Sequence, residues 1–165
     1  MGCYDGVEDG YMVNPEFALD CIEKVVQASI DEGVYVIIDW HAHDFYPKEA
    51  KAFFGSMARK YGKYPNVMYE LFNEPTHEHF WPEIKAYHEE VIAEIRKYDP
   101  DNIIVCGTPS WDQHVDIASE DPITGYDNLM CTLHFYAASH KDGHRARFQT
   151  ALDNGLPIFV TESAG

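Results

Sequence analysis

Five short apolar runs, each preceded by a segment of helical period, are the feature that most limits what this chain can fold into. Strands that alternate with helices pair in parallel, because a parallel neighbour needs a crossover of about a dozen residues and a helix supplies it. The runs are 34–39, 66–72, 102–106, 129–135 and 157–161, and the helical patterns are 14–32, 47–61, 81–98, 112–118 and 143–154. The first helix shows the signals most fully. Asn14 suits an N-cap and Pro15 the first helical position, while Gly33 stops the helix. Phe17, Cys21, Val25, Ala28 and Ile30 are expected on its buried face. The run that follows, Val34-Tyr35-Val36-Ile37-Ile38-Asp39, is apolar almost throughout, as a strand covered on both faces should be.

Five strands fall short of the eight of a (β/α)8 TIM barrel, which takes about 250 residues. No glycine-rich phosphate loop follows any strand, so an open dinucleotide-binding sheet lacks its main signature. The expectation is an α/β fold, a partial (β/α)8 barrel, with 1–165 forming a single catalytic domain. The last strand ends close to Gly165 with no helix after it, and the chain is therefore expected to be an internal fragment.

The charge excludes some partners. Twenty-eight acidic residues against twelve basic ones give a formal charge of −16, and no stretch gathers Lys and Arg. Such a surface repels phosphate backbones and anionic headgroups, so neither nucleic acid nor membrane is expected as a partner. No apolar run approaches the roughly 20 residues of a membrane span, and the first residues lack the order of a signal peptide. Cys3, Cys21, Cys106 and Cys131 form no CxxC pair, and two of them lie in apolar runs where a buried free thiol is expected.

What ties the strands together is the polar sequence at their ends: Asp39-Trp40-His41, Asn73-Glu74-Pro75, Thr108-Pro109-Ser110-Trp111, His134-Phe135-Tyr136 and Thr161-Glu162. In a parallel barrel the C-terminal strand ends form one face, and active sites sit there. Glu74 and Glu162 are the natural pair for chemistry. Glycosidic cleavage needs one carboxyl kept protonated for the leaving oxygen and another ionised to attack the anomeric carbon. Trp40 is read as core, His43 and Asp44 as loop residues solvated or at a cleft edge, and His77, His79 and His88 as surface residues.

The stretches VYVIIDWH (34–41), YPNVMYELFNEP (64–75), DPDNIIVCGTPSW (99–111), TLHFY (132–136) and PIFVTE (157–162) together resemble glycoside hydrolase family 5, in particular its bacterial and nematode endo-β-1,4-glucanases. They cover nearly the whole chain in family order. The resemblance implies a retaining double displacement with no cofactor and no metal, on cellulose or a related β-glucan. Glu74 would be the acid/base and Glu162 the nucleophile. It further implies that Asn73 holds the sugar 2-hydroxyl, His41 binds the same sugar, His134 sits beside the acid/base, Tyr136 donates to the nucleophile, and Trp111 stacks the leaving-group sugar. It also implies secretion, and places the chain between the end of strand 2 and strand 7 of the barrel. The family's strand-2 Arg and strand-8 Trp would then lie beyond it. Where the family has an aromatic residue after the nucleophile, this chain has Ser163.

Two other readings stand beside this one. His41, His43 and His134 could hold a metal, as in barrel amidohydrolases. Alternatively, the chain could be an inactive sugar-binding fragment, since a barrel lacking strands leaves open edges.

Overall fold

A computed structural model describes residues 10–165, so Cys3 lies outside the described part. Its elements run α1 (Pro15–Asp31), β1 (Val36–Asp39), α2 (Pro47–Tyr61), β2 (Val67–Glu70), α3 (Trp81–Ile95), β3 (Ile104–Cys106), α4 (Pro109–Asp112), α5 (Val115–Glu120), β4 (Leu129–Tyr136), α6 (Asp142–Asp153) and β5 (Ile158–Ala164). The five strands form one sheet in the order β1-β2-β3-β4-β5, every neighbour parallel. This is the wall of a (β/α)8 barrel over five consecutive strands, with β1 and β5 as its edges.

The local signals act as their chemistry dictates. Asn14 Oδ1 accepts from Phe17 N–H and Pro15 opens α1, while Gly33, at φ +68°, takes the left-handed turn after it. The buried face of α1 is not the expected one, however. Ala18, Ile22 and Val26 are buried, whereas Phe17 and Val25 are about half exposed. The apolar residues wrap more than one stripe of this helix, and the i, i+4 row that meets the sheet lies one position further round. The first strand also starts two residues later than its apolar run. Val34 N–H still bonds Ser29 O and closes the end of α1, which leaves Val34 and Tyr35 exposed.

The core lies between the sheet and α2 and α3. Trp40 is wholly buried among Tyr11, Phe53 and Phe54, with ring centroids 5.3–6.2 Å apart, in line with its reading as core. Cys106 and Cys131 are paired in register across β3 and β4 and are both buried and free. His88 is a correction to the surface reading. It is fully buried on α3 and donates from Nε2 to Gly107 O at 2.9 Å. The expected helix at 112–118 is also corrected, because Asp112 belongs to the tight turn α4 and the regular helix begins at Val115.

Candidate active site

Three backbone contacts set the floor of the site. Asn73 N–H bonds Trp40 O at 3.0 Å, so the chain leaving β2 runs beside the chain leaving β1. Gly107, just past β3, presses on the same segment: a Cβ there would stand 2.2 Å from Phe72 O, a separation that only glycine avoids. Trp111 N–H then bonds Pro75 O at 2.8 Å, tying α4 over the Asn73-Glu74-Pro75 loop. Ser110, Trp111 and Asp112 all have φ near +57°, which costs non-glycine residues about 1 kcal/mol each. The Trp111 contact and the Asp112 carboxyl, which accepts from Thr108 N–H at 2.5 Å, hold them there.

On this floor the polar strand ends converge. One carboxylate oxygen of Glu74, one of Glu162 and a ring nitrogen of His134 lie within 4.8 Å of one another. His134, 1% exposed, has Nδ1 3.0 Å from Glu74 Oε1 and 3.5 Å from Asp112 Oδ2. Its Nε2 lies 2.8 Å from Thr161 Oγ1. Tyr136 Oη donates to Glu162 Oε1. Glu162 sits within β5 rather than past its end, opposite His134 in the ladder, because Ala137 N–H continues the pairing to Ala164 O.

The remaining predicted residues lie around this pair. His41 bonds Asp39 Oδ2 through Nδ1 at 2.9 Å, and that bond holds its pKa above the usual histidine value. His43 Nε2 lies 3.6 Å from Glu74 Oε2, closer to the chemistry than a cleft-edge position. Asn73 is buried, and its Nδ2 has no acceptor among the described residues. Trp111 is 37% exposed, and its ring lies 5.2 Å from that of His77. The trio His41, His43 and His134 does not converge. Among the described residues, the group that does is Glu74, His134 and Glu162.

Two acidic residues in the site were not expected there. Glu70 is 5% exposed, and burial, then the Asp39 charge, push its pKa up to about 7. Asp112 is fully buried, and burial raises its pKa well above the carboxylate range. Glu70 carried a signal, since a carboxyl inside the apolar run 66–72 has to be paired or protonated once buried. Glu74 differs from both: the His134 hydrogen bond lowers its pKa, outweighing the partial burial that would raise it. The arrangement therefore brings two carboxyls together, one of them bonded to a histidine and the other to a tyrosine hydroxyl.

The likeness to known proteins covers nearly the whole chain. Residues 3–165 match the model of the cellulase family, glycosyl hydrolase family 5. An endoglucanase Z of Dickeya dadantii is 47% identical over 161 residues, which are 95% of this chain and 38% of that protein. A solved structure from Cytophaga hutchinsonii superposes with a TM-score of 0.94 at 46% identity, covering 98% of this chain and 53% of the other. The catalytic domain of a Thermobifida fusca endoglucanase, in complex with cellotetraose, superposes at 0.87 with 34% identity, over 99% and 56% of the two chains. The chain thus spans about half the length of these solved domains, and little more than a third of the curated relative.

Proposed function

This chain belongs to glycosyl hydrolase family 5, and from that premise we propose that it is the larger part of the catalytic domain of a retaining endo-β-1,4-glucanase acting on cellulose or a related β-glucan. The observation that carries this reading is the approach of Glu74 and Glu162 oxygens to within 4.8 Å. Retaining enzymes hold their carboxyl groups about 5 Å apart, whereas inverting enzymes leave roughly 6.5–9.5 Å for a water.

In the first step Glu162 attacks the anomeric carbon and Glu74 gives its proton to the departing glucosidic oxygen. Water then cleaves the glycosyl–Glu162 ester, and Glu74 takes the proton from that water. The Tyr136 hydroxyl supports the charge on Glu162 before attack. Asn73 Nδ2, which lacks an acceptor among the described residues, offers its hydrogen to the sugar 2-hydroxyl. His41 binds the same sugar, and the exposed face of Trp111 takes the sugar beyond the cleaved bond.

The depressed pKa of Glu74 suits the second step, in which it acts as base. A glucan over the cleft strips water from the carboxyl and raises its proton affinity for the first step. Because the polymer is too large to enter a cell, the protein is proposed to work outside it. No described helix is long and apolar enough to cross a membrane.

The test uses the enzyme with both carboxylates exchanged in turn. Glu162→Gln should cut turnover of a soluble cellulose derivative by at least about a thousandfold. Glu74→Gln should lose far less on an aryl cellobioside with a good leaving group than on polymer. Proton NMR of the first product should show the β-anomer. An α-anomer, or wild-type turnover in both variants, overturns the assignment.

A further inference from the structure

A line of hydrogen bonds joins Glu74 to a carboxyl that the double displacement does not itself use. Glu70 Oε1 accepts the Thr161 hydroxyl proton at 2.6 Å. Thr161 Oγ1 lies 2.8 Å from His134 Nε2, and His134 Nδ1 lies 3.0 Å from Glu74 Oε1. Thr161 has one hydroxyl hydrogen but three close neighbours: Glu70, His134 Nε2 and Thr132 Oγ1.

Two arrangements with the same number of protons satisfy the line from Glu70 to Glu74. When the Thr161 hydrogen goes to an ionised Glu70, His134 Nε2 must carry its own hydrogen to bond Thr161. Nδ1, facing the oxygens of Glu74 and Asp112, carries one too, so the ring is an imidazolium. When Glu70 is protonated it donates to Thr161, the Thr161 hydroxyl turns to Nε2, and the ring is neutral with its hydrogen on Nδ1. A charge on Glu74 favours the first arrangement, and a neutral Glu74 favours the second.

Building on the two-carboxylate reading, we propose that Glu70 is a positioning residue that passes a proton through Thr161 to His134 when Glu74 gives its own to the leaving group, and takes it back when Glu74 is reprotonated. In the forward direction the Glu70 O–H breaks as a new Thr161 O–H forms. The original Thr161 O–H breaks as the Nε2–H forms, and nothing is oxidised or reduced. The negative charge then developing on Glu74 meets an imidazolium 3.0 Å away.

The surroundings suit this exchange. Burial and the Asp39 charge hold Glu70 near a pKa of 7, and the His134 bond is the largest influence on Glu74. The groups facing the line are Asp39 at the end of β1 and His41 beyond it, His43 beside Glu74, Asp112 from α4 and Glu162 from β5.

Glu70→Gln keeps the shape and can donate an amide hydrogen to Thr161, but it cannot release a proton. His134 should then stay neutral. Without its cation, Glu74 holds its proton to higher pH, so the alkaline limb of kcat/KM on cello-oligosaccharides should move up by about one unit, with kcat down about tenfold. On an activated aryl cellobioside, which needs little protonation, the loss should stay under about threefold. In labelled protein, the nitrogen shifts of the His134 ring should report a neutral ring at pH values where the unaltered protein shows an imidazolium.

Thr161→Val cuts the same line with a residue that suits a strand, and should give the same ring signature. It carries the test if Glu70→Gln does not fold. Equal losses on both substrates with an unmoved limb, or an imidazolium in the folded variant, would overturn the proposal. The ring's charge state is read without turnover. Failure of the two-carboxylate reading is therefore seen separately, as retained activity in Glu162→Gln.

Discussion

Glu74 and Glu162 face each other across one gap, yet they are held in opposite ways. Glu74 follows β2, which has a strand on each side, and its segment is bonded to Trp40 O below and packed against Gly107. Its carboxyl meets His134 and His43. Glu162 rides on β5, which among the described residues pairs with β4 alone, and its hydrogen-bond partner, Tyr136, is itself 38% exposed. A register shift between Thr132 and His134 interrupts the pairing just below it. Glu74 is thus fixed by a buried framework, while Glu162 rests on one strand pairing among the described residues. Damage to the framework should therefore cost stability, and damage at the edge should cost little.

The largest effect expected on the framework is at Asp112. Its carboxyl caps Thr108 N–H from a fully buried position and stands 3.5 Å from His134. Burial disfavours its ionised form and raises its pKa well above the usual carboxylate range, and the carboxyl contributes here as a hydrogen-bonding group. Asp112→Ala leaves a buried N–H unpaired and releases three left-handed residues, at an expected cost of about 3 kcal/mol. A urea midpoint unchanged from the parent's would mean that the Trp111 contact alone holds the turn.

A second effect of similar size depends on pH. His88 lies behind Gly107 with its Nδ1 unpaired among the described residues, and burial lowers its pKa to about 4, against 6.5 in an unfolded chain. The unfolded state takes up the proton first. The stability that neutral His88 allows is therefore present above pH 6.5 and lost as the pH falls toward 4, by on the order of 3 kcal/mol. Glu70, raised to about 7, works in the opposite sense and favours the folded state in acid. The comparison is accordingly between two curves: denaturation midpoints from pH 7 to 4 should fall less steeply in His88→Gln than in the parent. Parallel curves would show that His88 is not the liability.

The same contrast explains which parts of the molecule could be read in advance. Parallel strands and the residues at their ends follow from apolar runs and from the geometry of βα units, which are local patterns. Glu74 and Glu162 were picked out that way as candidates, and the family resemblance singled out His134 and Tyr136 among the same strand ends. The face of α1 was misread because its apolar residues wrap too widely for one stripe to stand out, so contact with the sheet decided which were buried. Asp112 looked like the start of a helix because nothing in Pro109-Ser110-Trp111-Asp112 signals positive φ, and no glycine is present. The strain there is imposed from outside, by Pro75 O and by Thr108 N–H. His88 was taken for surface because the polar partner that its burial requires, Gly107 O, is 19 residues away in sequence.

The smallest effect is the one that isolates edge from centre most cleanly, because it uses the same substitution twice. Val105 on β3 is fully buried between neighbouring strands, and Val160 on β5 is 41% exposed. Valine and threonine share shape and strand propensity, so Val→Thr changes little except the exchange of a methyl for a hydroxyl. At Val105 the hydroxyl would enter a site without water, at an expected cost of about 1–3 kcal/mol. At Val160 solvent can satisfy it, and the change should stay within about 0.5 kcal/mol. If the Val160 variant lost as much stability as the Val105 variant, then β5 would be covered in the protein as it exists. Glu162 would then share the kind of support that Glu74 has, and the contrast between the two carboxylates would disappear.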